Sequence, residues 1–112
     1  MGPIQIMRIQ ADAVVAQGPY ESLIEFCNYV LTYCGFAVGM VNPAGGYIQA
    51  SSSMSLFSWG ENVALTLRTM PEGGIWIAVQ SSLKFGLIDW GKNRRNVEKI
   101  ISTMMSLAPS WG

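Results

Sequence analysis

The chain has 112 residues, a length suited to one domain with a single core. Half of the residues are apolar, only 12% are charged, and seven basic side chains balance seven acidic ones. That neutrality argues against broad electrostatic attraction to nucleic acid or anionic lipid, and no apolar run approaches the ~18–20 residues that span a bilayer.

Residues 4–16 are rich in β-branched side chains and partly alternate, which predicts a first strand ended by Gly18-Pro19. Pro19 suits the first turn of a helix, and Glu21 and Glu25 suit its positive end. Leu23, Phe26, Cys27, Val30, Tyr33 and Cys34 recur at helical spacing, so a core-facing helix is expected over about 19–34. Gly35 is its left-handed stop.

Phe36–Val41 reads as a strand closed by Asn42-Pro43-Ala44-Gly45-Gly46, and Tyr47 to about Ser53 as the returning one. Over Glu61–Thr69, Val63, Leu65 and Leu67 alternate with Ala64, Thr66 and Arg68. Pro71-Glu72-Gly73-Gly74 then turns the chain into Ile75–Ser82, where Ile75, Ile77 and Val79 alternate with Trp76, Ala78 and Gln80. Alternation of this kind predicts an antiparallel sheet with one face on the core. A last helix over about 90–107 carries the stripe Val97, Ile100, Ile101, Met104 and Ala108, with Lys92, Arg95 and Lys99 opposite. The expected architecture is a single α+β domain spanning residues 1–112. It has about five antiparallel strands in the order β-α-β-β-β-β-α and both helices on one face.

Histidine is absent, which removes the commonest general base and the favoured metal ligand. Cys27 and Cys34, about 10 Å apart along one helix, are too distant for a disulfide and are expected to be reduced core thiols. Two cysteines without histidine do not make a zinc site, and the scattered acids form no calcium loop. No glycine-rich strand-to-helix loop matches a phosphate or dinucleotide fingerprint. No metal, cofactor or catalytic residue is therefore assigned. The first residues, Met1-Gly2-Pro3-Ile4, resemble neither a signal peptide nor a myristoylation site, and a cytoplasmic location is expected.

Four features remain. Asp89 is placed to cap the last helix and Trp90 to pin it to the sheet. Lys92, Arg94, Arg95 and Lys99 form a basic cluster that would bind an anion at the start of that helix, or simply lie on a solvated face. Met54, Leu56, Phe57 and Trp59 would make an apolar wall for a ligand or partner, or a lid over the sheet edge. Trp76 and Ala78, beside Ala64 and Thr66, would line the sheet face away from the helices and form a dimer interface.

The combination Ile48-Gln49-Ala50-Ser51, Ser58-Trp59-Gly60-Glu61-Asn62 and Asp89-Trp90-Gly91-Lys92-Asn93 with Asn96 resembles a group of small prokaryotic domains of no assigned activity. The resemblance covers about residues 4–106. It implies a β-α-β4-α unit, similar in layout to one half of the TATA-binding protein and to helix-grip ligand-binding proteins. The strongly basic saddle that minor-groove binding needs is missing here. The function expected is that of a non-enzymatic binding domain, engaging an apolar small molecule or a protein partner and forming a homodimer. The alternatives are an enzyme using carboxylates such as Glu61 or Asp89, and weak nucleic-acid binding through the basic helix.

Overall fold

A computed structural model describes residues 4–52, 60–83 and 92–111. Six strands make one sheet: β1 (Gln5–Gln10), β2 (Ala13–Gln17), β3 (Ala37–Asn42), β4 (Tyr47–Ser51), β5 (Glu61–Thr69) and β6 (Ile75–Leu83). Their spatial order is β1-β2-β6-β5-β4-β3, and every neighbouring pair is antiparallel. Helix α1 (Tyr20–Tyr33) follows β2, and α2 (Lys92–Leu107) runs into a short 3-10 turn at Ala108–Ser110.

The α+β class and the antiparallel sheet are as the alternation implies, but the strand count is six rather than five. The segment expected as one strand over residues 4–16 is a hairpin, turned at Ala11-Asp12. Gln10 faces Ala13 across it, and the register shifts between Arg8 and Gln10. Ala-Asp carries no strong turn preference, so apolar content on both sides hides the reversal in the sequence. The turn is held by Arg8, whose Nε donates to Gln10 O at 3.2 Å and whose Nη2 donates to Ala11 O at 2.7 Å.

Pro19 precedes α1 in extended conformation instead of occupying its first turn, and its carbonyl accepts from Leu23 N at 3.0 Å. At the other end Gly35, with φ +93°, donates to Thr32 O, and Phe36 donates to Leu31 O. This paired closure satisfies two end carbonyls and buries Phe36 near Leu31. Between β3 and β4, Asn42 Oδ1 accepts from Gly45 N, while Tyr20 Oη donates to Pro43 O. Gly46 is more than a turn residue. Its φ is +68°, and an added Cβ would lie 2.2 Å from Leu67 O.

Cross-strand partners share a sheet face, so the registers divide the side chains in two. One face carries Val14, Ala16, Ile48, Ala50, Val63, Leu65, Leu67, Ile75, Ile77 and Val79. These pack in one core with Leu23, Phe26, Cys27, Val30 and Leu31 of α1 and with Ile100, Ile101 and Met104 of α2. Both helices therefore cover the same face. Antiparallel packing of α1 and α2 follows from two contacts: Cys34 Sγ meets Thr103 Oγ1, while Trp111, beyond α2, meets Ser22 and Phe26. Among the described residues, no helix is long and apolar enough to cross a membrane.

Candidate functional site

The chemistry-bearing residues gather at one end of the sheet, against the first turns of α2. Glu61 begins β5 in the same parity as Val63, Leu65 and Leu67, so its carboxylate faces the core side and is only 5% exposed. A buried carboxyl requires hydrogen-bond partners. Ser52 Oγ donates to Glu61 Oε2 at 3.0 Å, and Asn96 Nδ2 donates to Oε1 at 3.2 Å. The two backbones are also joined, with Ser52 N donating to Glu61 O and Glu61 N donating to Ser52 Oγ, both at 2.9 Å.

Asn96 Nδ2 also approaches Ser81 Oγ at 3.2 Å, and Ser81 Oγ donates to Asn93 Oδ1 at 2.8 Å. The chain Ser52–Glu61–Asn96–Ser81–Asn93 thus links β5, β6 and the residue that follows β4 to α2. Its chemical capacity is to hold the start of α2 on the sheet. Among the described residues, no three cysteine or acidic side chains come together to hold a metal ion. Cys27 and Cys34 are free and buried, and burial pushes the Cys27 thiol up to about 12.

A shallow groove opens beside this latch, between the β1–β2 turn and α2. One lobe is lined by Arg8, Ala11, Asp12, Arg94, Val97 and Glu98, and the next by Asp12, Val79, Ser81, Ser82, Asn93 and Arg94. Arg8 spans its back wall: Nη1 and Nη2 donate to Glu98 at 2.9 and 2.5 Å. This pairing holds the Glu98 carboxyl below its ordinary range and raises the Arg8 guanidinium.

The opposite sheet face has a different character. Met7, Val15, Trp76 and Arg68 form one cross-strand row, and Ala13, Ala78, Thr66 and Tyr47 the next. Ala64 lies between Gln80 and Gln49. Among the described residues Arg68 is the one charge on this face, and its guanidinium lies 5.9 Å from the Trp76 ring centre. Ala13 and Ala78 are buried yet lie outside the helix-covered core. Trp76, Ala64 and Thr66 are half-buried, and Met7 and Met40 are exposed.

The structure thus brings Trp76, Ala78, Ala64 and Thr66 onto one surface, as the alternation implies. It divides the basic cluster. Arg94 lines the groove, whereas Arg95 and Lys99 lie exposed one helical turn apart on α2. Asp89, Trp90 and the Lys92 side chain lie outside the described residues, as does the wall Met54, Leu56, Phe57 and Trp59. The latch is the part that composition and motif matching miss. Its signal is polar residues at core-parity positions: Glu61 before Val63, Ser81 after Val79, and Asn93 and Asn96 on the helical stripe of Ile100.

The fold and site define an α+β domain in which, among the described residues, both helices pack on one face of the sheet. In comparisons with known proteins, no family model and no curated sequence matches the chain.

Proposed function

We propose that the protein is a non-enzymatic binding domain that self-associates through the sheet face opposite its helices. The observation that carries this reading is the composition of that face: Trp76, Val15, Ala13, Ala78, Ala64, Thr66, Tyr47 and Met40 lie among the neutral polar Gln17, Gln49, Gln80 and Asn62, with Arg68 the single charge among the described residues. Contiguous apolar patches above a few hundred Å² are rare on monomers, and a two-fold pairing is the commonest way to cover one. A face with one cation also brings little like-charge repulsion to its own copy. Small side chains at Ala13, Ala64 and Ala78 let two sheets approach, while Trp76 supplies a large aromatic anchor.

The hydrogen bonds to Glu61 support the non-enzymatic half of the reading. Its carboxylate is buried and engaged with Ser52 and Asn96, an arrangement suited to holding α2 rather than meeting a substrate. A cytoplasmic, homodimeric protein is the form in which this reading places the chain, and its TATA-binding-protein-like layout is part of the same proposal.

Sedimentation equilibrium of the wild-type chain and the Trp76→Glu variant tests the reading. A dimeric mass for the wild type and a monomeric mass for the folded variant are expected. A monomeric wild type at tens of micromolar, or an unaltered dimer in the variant, overturns it.

A further inference from the structure

The groove beside the latch holds two opposite charges that do not pair with each other. Asp12 and Arg94 both line each of its two lobes, which measure about 440 and 460 Å³. Among the described residues the one ion pair is Arg8–Glu98, so Asp12, on the β1–β2 turn, and Arg94, on α2, line the same groove without pairing; Arg94 also lies close enough to Glu98 to help hold its carboxyl low. Their separation is built in. Arg8 bonds the carbonyls of Gln10 and Ala11, next to Asp12, and also bonds Glu98, one helical turn after Arg94. One side chain therefore ties the turn that carries the acid to the helix that carries the base.

The floor between them is backbone. Strand β2 begins only at Ala13, paired with Ala78, and the last bond on that side runs from Val79 N to Asp12 O at 2.8 Å. By the two-residue period of a strand, the backbone N–H and C=O of Ser81 point the same way, into the region where β2 has stopped. The Ser81 hydroxyl is fixed by Asn93 and Asn96, so this stretch of β6 is held in place. The groove thus offers a guanidinium, a carboxylate, and a backbone donor and acceptor between them.

We propose that this groove binds a small zwitterion bearing an ammonium and a carboxylate, of the size of an amino acid. The ligand carboxylate pairs with Arg94 and the Ser81 N–H; its ammonium pairs with Asp12 and the Ser81 carbonyl. A ligand with only one charge leaves one wall unpaired. The volume suits this class, since small-molecule sites run from about 300 Å³ upward. The open walls leave much of the ligand in water, which implies weak binding.

The test is a backbone-amide NMR titration of the full chain with glycine, γ-aminobutyrate and glycylglycine. These three probes graduate the spacing between charges and separate free amino acids from a peptide. Propylammonium and propionate are the single-charge controls. Saturable shifts at Asp12, Ser81, Ser82 and Arg94 are expected for at least one zwitterion, about tenfold tighter than for either control. Asp12→Asn and Arg94→Gln, both at exposed positions, are each expected to weaken that binding about tenfold while leaving the remaining spectrum unchanged. No saturable shift by ~100 mM of any zwitterion, equal response to a single-charge control, or binding untouched by both variants overturns the proposal.

Discussion

Asn96 reaches from α2 to the buried carboxylate of Glu61, its Nδ2 lying 3.2 Å from Oε1, and the same amide nitrogen lies 3.2 Å from Ser81 Oγ. One side chain thus serves two strands. Leaving a buried acceptor without its donor costs about 1–3 kcal/mol. Asn96→Ala is therefore expected to lower unfolding stability by about 2 kcal/mol, read as a reduced urea midpoint at unchanged slope. Asn96→Leu, which fills the space but offers no donor, should fare no better.

Gly46 predicts a second loss. Its φ of +68° and the 2.2 Å approach of a built Cβ to Leu67 O leave no room for a side chain. The same glycine accepts Leu67 N at 2.8 Å, closing the β4–β5 ladder. Gly46→Ala combines left-handed strain of about 1–2 kcal/mol with displacement of that bond. Thermal unfolding is expected to show a clear fall in midpoint. Gly35→Ala should show a smaller one, because no atom lies within 4 Å of its built Cβ.

Much of this was legible in the chain, for a physical reason. Strands β5 and β6 each place one face on a core and the other toward solvent or a partner, so period-two alternation survives intact from Val63 to Leu67 and from Ile75 to Val79. The β1–β2 hairpin was not legible, because Ala11-Asp12 is a weak turn pair and Ala13, Val14 and Ala16 are buried on both faces. Glu61 was visible as one acid among seven, and only its parity with Val63 marks it as buried. The groove could not be read at all. Asp12 and Arg94 lie far apart in sequence, and the tertiary bridge Arg8–Glu98 sets their walls.

That bridge has a pH signature. Arg8 holds the Glu98 carboxyl below its ordinary range, chiefly through the hydrogen bonds between them. A carboxyl with a folded pKa below its unfolded one adds stability above the unfolded value, and that contribution fades as pH falls through the folded value. The window therefore lies below the usual glutamate pKa of ~4.3. Carbon-detected carboxyl titration should place the Glu98 midpoint under that value in the wild type and shift it upward in Arg8→Ala. An unchanged midpoint contradicts the pairing.

Cys27 should be chemically silent in the folded chain. It is fully buried, and desolvation pushes its thiol up to about 12, so very little thiolate exists at pH 8. Labelling of Cys27 by iodoacetamide is expected to proceed only through unfolding, with a rate that rises steeply with added urea. Rapid native labelling of Cys27 at neutral pH would show that α1 opens away from the sheet.

The central claim is that the sheet face opposite the helices meets its own copy. Isotope-filtered NMR on an equal mixture of labelled and unlabelled chains tests it most directly, because it reports only contacts between copies. The account predicts intermolecular cross-peaks from the Trp76 indole to the methyl groups of Ala78, Thr66 or Val15 of the other copy. A dimer whose cross-peaks join helix residues such as Tyr29 and Tyr33, or a sample with none at concentrations where self-association is expected, would contradict it.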